Sequence, residues 1–404
     1  MSAGTEGRPR ILILGGGYGG VTLAANLKRV AASGKADITL VNKSNYHYLT
    51  TLLHHAILQP IIYKKVAVNI PRLLGSGINF VRGSVQTINW KNKQVEVATR
   101  SGGQTLSYDY LVIALGWEPV FYGLPGLKEH AFVLEDLRSA HQIYTHIEES
   151  FMEYDKHPDQ EWRTHIVIGG AGPTGVEIAF DLTEGLEAIA IAYDIDPKKI
   201  TLVLVGKLLE VFDETLREHV KHQLRLRGID VDEEFIERVD EHAIELKSRR
   251  YVEESVLIWC GGVRANSIIE KSGFAVDKHG RANVNNYLQS VDSPGVYVIG
   301  DCACATDERG QPLIMTAQFA AQEGKYLARA LRTRLAGGTP GPYRPRNLGM
   351  FVSVGRRHAI GVFYLGRIRI KMSGTLGHLV KFAANSRYLY GIGGLRMVLK
   401  KIMV

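Results

Sequence analysis

Cysteine is scarce in this chain: three residues in 404 cannot build a disulfide framework, and a reducing compartment is the natural reading. Long apolar runs are missing too. None approaches the roughly 18 residues that a spanning helix needs. The polar start, whose first apolar run is Ile11–Leu14, does not read as a secretory signal. No low-complexity segment or short-period repeat interrupts the chain. Acid is absent from one whole region. Beyond Glu323 the sequence holds 16 Lys and Arg and no Asp or Glu, while residues 1–323 carry 33 basic and 41 acidic side chains. The formal net charge of +8 therefore hides an acidic body and a basic end. A solvated face would mix both signs, so a block of one sign calls for an anionic partner, phospholipid or nucleic acid. No DNA- or RNA-binding motif accompanies the charge. An anionic lipid surface is therefore expected, and nucleic acid is not.

What the chain does have is glycine in a particular order. Gly15-Gly16-Gly17-Tyr18-Gly19-Gly20 follows the apolar run Ile11–Leu14, and Gly170-Ala171-Gly172-Pro173-Thr174-Gly175 follows Ile166–Ile168. Each reads strand, G-x-G-x-x-G, helix. The first glycine, Gly15 or Gly170, permits a tight turn. The second, Gly17 or Gly172, lets the backbone approach a pyrophosphate. The third, Gly20 or Gly175, lets the helix pack against the strand with its N-terminal amides facing the phosphates. One such loop is weak evidence. Two in context imply two dinucleotides, and so an electron relay between FAD and a nicotinamide coenzyme.

The length and an apolar fraction of 45% suit a globular protein of two or three domains. Strands are read at Ile38–Val41, within Tyr108–Gly116, at Ile200–Val205 and at Val256–Cys260, with a helix over 135–153. The last of these strands ends in Gly261-Gly262. Val296–Asp301 reads as a return strand to the first domain. The expected fold is α/β, with one Rossmann-like dinucleotide domain inserted in another. Residues 8–118 and 290–335 would form the first domain and 119–289 the second, with a basic membrane-associating region over 336–404. Gly300-Asp301 at a strand end suits a flavin ribitol or phosphate. A helix starting near Met315 would aim its positive N-terminus at the flavin.

Two strand ends lack the carboxylate that usually binds a ribose. The first ends in Asn42-Lys43, where Asn can still bond a hydroxyl. The second ends in Gly206-Lys207, where nothing repels a 2′-phosphate, so either tolerance of NADPH beside NADH or weak nucleotide binding overall is expected. Glu210 is a candidate substitute for the missing acid.

Four segments together resemble the single-subunit type II NADH:quinone oxidoreductases of the pyridine nucleotide-disulfide oxidoreductase superfamily. They are Ile38–His54 (ITLVNKSNYHYLTTLLH), the second loop with Glu177 attached, Gly300-Asp301-Cys302-Ala303, and Ala317-Gln318-Phe319-Ala320-Ala321-Gln322. The last is the most specific, and the likeness runs from residue 10 to about 400. The resemblance implies FAD bound non-covalently in the first domain, NADH in the second, and quinone reaching the flavin from the membrane, without proton pumping. It places Gly15, Gly16, Gly17, Gly20, Asn42, Lys43, Thr51, Val85, Asp301 and Ala317 at the flavin, and Gly170, Gly172, Gly175, Gly206 and Gly262 at the nicotinamide coenzyme. Glu177 acquires a role linking nicotinamide binding to proton delivery. Gln318 and Gln322, one turn apart on a single helix face, would orient quinone carbonyls or the flavin edge. His54-His55 lies in a family segment near the flavin but reads as packing or surface.

In the tail, Arg367–Met372 alternates charge and apolar side chains, a strand with one cationic face. Leu376, Leu379, Val380 and Ala383, and then Ile392, Leu395, Val398, Leu399 and Ile402, follow helical spacing, as a cationic amphipathic helix in a lipid interface would. The expected location is peripheral, on the cytoplasmic face of the cell membrane. The oligomeric state is open, a homodimer being one option. Two rival functions remain. Sulfide:quinone oxidation needs cysteines flanking the flavin, and neither Cys260 nor Cys302-x-Cys304 reads that way. A low-turnover, membrane-docked flavoprotein sensor or scaffold is favoured by Gly206.

Overall fold

The computed structural model describes residues 7–402. The first six residues of the polar start, and Met403 and Val404 at the basic end, lie outside the described residues. The apolar run becomes β1 (Arg10–Leu14), which leads through the first glycine loop into α1 (Tyr18–Ala32) and back to a parallel β2 (Asp37–Asn42). β3 (Asn79–Asn89) continues in parallel, and β4 (Gln94–Thr99) and β5 (Gly102–Ser107) follow antiparallel. β6 (Tyr110–Ile113) lies on the other side of β1.

The second unit opens with α2 (Leu137–Lys156). Its start is fixed by a reciprocal cap: Asp136 Oδ1 accepts from the Ser139 amide at 3.0 Å, and Ser139 Oγ accepts from the Asp136 amide at 3.0 Å. Ala140, Ile143, Ile147, Phe151 and Tyr154 form its buried face. β7 (His165–Gly169) leads through the second loop into α3 (Pro173–Ala192). β8 (Thr201–Val205), β9 (Ile229–Asp232) and β10 (Val256–Trp259) complete a four-stranded sheet, order β9-β8-β7-β10, parallel throughout. A parallel sheet is covered on both faces, which is why β10 is apolar at every position.

β11 (Val296–Val298) then pairs in parallel with β6, completing a first sheet of order β11-β6-β1-β2-β3-β4-β5. One dinucleotide unit is thus inserted in another. The chain returns earlier than residue 290, however. Val263–Ala265 pairs with Trp117–Pro119, and Ile268, Ile269, Phe274 and Ala282 share a buried cluster with Leu12, Leu14 and Val298. These apolar residues have neither helical nor strand spacing, so no sequence pattern marks the crossing.

α4 (Ala317–Leu335) packs on α1. The basic region follows as an antiparallel meander of β12 (Gly349–Ser353), β13 (Ala359–Leu365) and β14 (Ile368–Met372), then α5 (Gly374–Ile402), broken at Gly394 where φ is 67° and ψ −169°. Val352, Ile360 and Val362 bury against second-unit residues such as Ile178 and Leu182, whereas Leu389 and Ile392 bury in the first unit. The region therefore straps the two units together. This corrects the expectation for the tail in two places. The cationic face of β14 is turned onto the body, where Arg369 and Lys371 both pair with Asp213. The spaced set beginning at Ile392 is divided: Ile392 is buried and Val398 packs on the first-unit core, whereas Leu395 and Leu399 are exposed. The break at Gly394 rotates the faces on its two sides apart. Leu365, Ile368, Leu376, Leu379, Phe382 and Tyr390 are also exposed. Among the described residues no helix is long and apolar enough to cross a membrane.

Candidate functional site

The first glycine loop forms the floor of a cavity of about 390 Å³. Gly15 holds the turn with φ at +104°, and a Cβ there would lie 2.1 Å from the Ala114 carbonyl oxygen. At Gly20 a Cβ would lie 2.0 Å from the Gly15 carbonyl oxygen, so only glycine lets α1 sit this close to the turn. Gly17 differs: its φ of −79° suits any residue, and a Cβ would meet nothing within 4 Å. That open position, at the N-terminus of α1, is where a pyrophosphate would approach the backbone. Gly16, Asn42, Lys43, Val85, Asp301 and Ala317 also line the cavity. Asn42 has less freedom than expected: its Oδ1 accepts from the Gly16 amide at 2.9 Å and its Nδ2 donates to the Ser44 carbonyl at 2.8 Å. It shapes the loop rather than offering a whole amide to a ribose. Lys43 is 3.8 Å from Glu135, a second cavity residue. Thr51 and Gly20 are not on the wall; Thr50 is. Thr51 Oγ1 instead joins the Tyr18 hydroxyl at 3.1 Å and donates to Asn385 Oδ1 at 3.1 Å, because α5 covers this side.

The start of α4 closes the other side. Ala317 and Ala320 lie on the wall, and the Thr316 hydroxyl caps the helix, so its N-terminal partial charge faces the cavity. Burial raises the Asp301 carboxyl to about 6, with Arg281 opposing. Beneath it Glu323, pushed up to about 8 by burial, accepts from the Gly300 amide at 2.5 Å. An open glycine, two helix N-termini and a wall with few charges fit a flavin dinucleotide.

The second loop repeats the first. A Cβ at Gly170 would lie 2.5 Å from the Cys260 carbonyl carbon, and one at Gly175 would lie 1.9 Å from the Gly170 carbonyl oxygen. Gly172, with φ at −75°, is open. Gly206 sits beside this loop with φ at +124°, its missing Cβ 3.3 Å from the Ala171 amide nitrogen. A side chain at 206 would be strained, so the vacancy at this strand end is a backbone requirement. Lys207 extends past it and pairs with Glu210 at 3.3 Å. Gly262 lies under Tyr122, whose hydroxyl donates to the Gly261 carbonyl at 3.2 Å.

Glu177, in the first turns of α3, is gripped from three directions. It accepts from the Ser353 amide at 2.9 Å, forms an ion pair with Lys381, and has His54 Nδ1 3.6 Å away. Lys381 also donates to Ser353 Oγ at 2.6 Å. Burial, and then the charge of His55, hold the His54 imidazole well below its ordinary value, so it faces Glu177 as a neutral ring. The expectation of a packing or surface role for the pair is half met: His54 is 3% exposed, but it packs against carboxylates.

Gln318 and Gln322 share a face, as their spacing requires, but that face is covered. Gln318 accepts from the Leu348 amide at 2.6 Å and donates to the Gly349 carbonyl at 3.1 Å. Gln322 accepts from the Arg346 amide at 3.0 Å and donates to the Arg346 carbonyl at 2.8 Å. Both amides are committed at both ends to the strand that enters β12. Each amide thus anchors the strap through one donor and one acceptor contact, and a carboxamide keeps a second N–H and a second lone pair for the quinone carbonyls or flavin edge expected of it.

The family profile of the pyridine nucleotide-disulphide oxidoreductases matches residues 9–324. The type II NADH:quinone oxidoreductase of Staphylococcus aureus (strain NCTC 8325 / PS 47) is 30% identical over 414 residues, covering 98% of this chain and 99% of the relative. The chain belongs to the type II NADH:quinone oxidoreductase family. Its Staphylococcus saprophyticus relative of the same name is 29% identical, with the same coverage. The structure of NDH2 from Plasmodium falciparum in complex with NADH superposes with a TM-score of 0.83 at 18% identity, over 98% of each chain. The sulfide:quinone oxidoreductase of Aquifex aeolicus gives 0.75 at 19%, over 95% of this chain and 91% of that one, a likeness of fold alone.

Within this type II framework, three groups of residues escaped sequence reasoning. Lys381 and Ser353 meet Glu177 from the strap. Tyr388 donates to or accepts from His47 Nε2 at 2.8 Å beside Tyr18. Asp181 joins the two histidines. A fourth, Glu323, did carry a signal, as the last acid before the basic region. The cysteines are poorly suited to sulfur chemistry, since burial pushes the Cys260 and Cys302 thiols up to about 12.

Proposed function

We propose that this type II enzyme takes two electrons from NADH and delivers them to a membrane quinone, using FAD held in the first-unit cavity. The observation that carries this is the full-length relationship to type II enzymes, together with two glycine loops that each keep the second glycine open. FAD bound there would supply hydride acceptance and electron transfer, chemistry that no side chain of the chain provides. The amides at the start of α1 and the open Gly17 would hold its pyrophosphate, and the N-terminus of α4 would favour negative charge on the reduced ring. Asp301 and Glu323 would keep the adjoining wall from adding two full negative charges near neutral pH. Gly172 and the start of α3 would take the NADH pyrophosphate. Lys207 at the strand end leaves NADPH a usable second coenzyme. Glu177 and Lys381, buried together, would hold the proton that accompanies turnover. The apolar residues exposed along α5 and β14, set in a region with no acid, would rest on an anionic lipid surface at the cytoplasmic face.

Anaerobic titration tests the reading. NADH should bleach the flavin band of the purified yellow protein, and a short-chain quinone should restore it. Bleaching by sulfide alone would transfer the chain to the sulfide-oxidising relatives. No bleaching by either nicotinamide would leave a flavin-bound sensor or scaffold.

A further inference from the structure

The helical turn Thr50–Ala56 of the first unit brings two consecutive imidazoles against α3 of the second. His54 and His55 have ring centroids 4.1 Å apart, and both reach Asp181, four residues after Glu177 on the same helix face. His55 Nδ1 lies 2.5 Å from Asp181 Oδ2 and His54 Nε2 lies 4.0 Å from it. His54 and Asp181 are more than nine-tenths buried, yet His54 Nε2 and Asp181 Oδ2 have no hydrogen-bond partner. The close approach of His55 to Asp181 lacks hydrogen-bond alignment, although its length is that of one. Buried polar atoms left in this state ordinarily have a partner, and leaving two together is costly.

We propose that His54, His55 and Asp181 bind a divalent transition-metal ion of the zinc class, joining the two dinucleotide units. Two imidazole nitrogens and one carboxylate oxygen are a borderline-soft donor set that suits zinc better than magnesium or calcium. One donor atom from each residue falls within 4.8 Å of the others. In a tetrahedral site with bonds of about 2.0–2.1 Å the ligand atoms stand roughly 3.3 Å apart. The site therefore closes when pairs of donor atoms shift by at most about 1.5 Å relative to one another. His55 is partly exposed, so water can reach the fourth position. The charges permit it: Asp181 contributes one negative charge, and the nearby Lys381 is already neutralised by Glu177. Because the ligands come from both units, occupancy would fasten them next to Glu177.

The test is calorimetric titration of zinc chloride into the full-length, FAD-loaded protein. One zinc per chain is expected at micromolar concentration or below. Asp181→Asn and His55→Gln should each weaken binding at least tenfold, while His279→Gln, at an exposed histidine away from the cluster, should not. Circular dichroism and retained flavin would establish that the variants are folded. Absorption spectroscopy at the zinc edge of the wild-type protein should show two imidazoles and oxygen, and no sulfur. Sub-stoichiometric zinc at these concentrations, unchanged affinity in both variants, or a sulfur ligand would each overturn the proposal.

Discussion

Gly17→Val separates cofactor binding from folding in a way most glycine substitutions cannot. At Gly17 the backbone is extended and allowed for valine, and the new Cβ meets no atom within 4 Å. The folded chain should lose only the difference between glycine and valine at a helix N-cap, about 1 kcal/mol. The same side chain projects toward the start of α1, where a pyrophosphate would accept backbone amides. Displacing two charge-assisted hydrogen bonds of about 1.5–3 kcal/mol each removes roughly 3–6 kcal/mol of binding, or about two to four orders of magnitude in affinity. The purified variant should be colourless and should melt within a few degrees of flavin-free wild type. Gly20→Ala is the contrast: its Cβ would sit 2.0 Å from the Gly15 carbonyl oxygen, so this smaller change should damage the fold itself. The readouts are the ratio of flavin to protein absorbance and a thermal melt by circular dichroism. A yellow Gly17→Val protein with stoichiometric FAD, or a Gly20→Ala protein as stable as wild type, would refute the reasoning.

Gly172→Val should give the complementary result, a yellow protein whose flavin NADH no longer reduces, because that Cβ also meets nothing within 4 Å; normal reduction in stopped flow would remove the second loop from coenzyme binding. Lys207→Glu should favour NADH over NADPH, and reversing one charge near a phosphate in water is worth about 2 kcal/mol, roughly thirtyfold in the ratio of kcat/KM values; an unchanged ratio would show that the 2′ position lies elsewhere. Replacing Leu376, Leu379, Leu395 and Leu399 by serine should release the protein from anionic vesicles in flotation while leaving the melt nearly unaltered, since all four are exposed; variants that float like wild type would mean that the apolar face is not the docking surface. Glu254, raised to about 8 by burial, stays protonated in the folded state below that pH. Its neutrality weakens wild-type stability progressively as pH rises from the unfolded value toward 8, by about 1.4 kcal/mol per unit, and the deficit is level above that. Glu254→Gln should therefore raise the melting temperature at pH 8.5 but not at pH 4, and an equal gain at both would exclude ionisation as the cause.

Legibility followed the range of the interactions. The glycine loops were readable because each needs only a strand, six residues and a helix, all contiguous. The apolar strands were readable for the same reason. The face shared by Gln318 and Gln322 was also local, but what covers it arrives from Arg346–Gly349, and no periodicity in α4 announces that strand. Glu177 meets Lys381 across 204 residues of chain, and Lys381 looked like one of many cations on an amphipathic surface. Gly206 was visible as a departure, yet its positive φ was not, and that φ is why a carboxylate-bearing residue at 206 would be strained in the fold.

The basic region therefore has a structural role beside the proposed lipid contact, and its composition alone runs the two together. Arg369 and Lys371 face Asp213, Lys381 faces Glu177, and Lys401 is buried against the Lys64 and Ala67 carbonyls. These cations hold the two nucleotide units at a fixed relation, and Ile392 and Leu389 add apolar contact to the first. Truncation from Gly391 would remove structural contacts together with any lipid contacts, and loss of membrane binding after such a cut could not be assigned to either. Leu376, Leu379, Leu395 and Leu399 are about half exposed or more. They are the part of the tail proposed to meet a bilayer. Two of them, Leu376 and Leu379, stand on the same side of the Gly394 break as Lys381, so that part of the proposed docking surface and the side chain that grips the buried carboxylate share one helical segment.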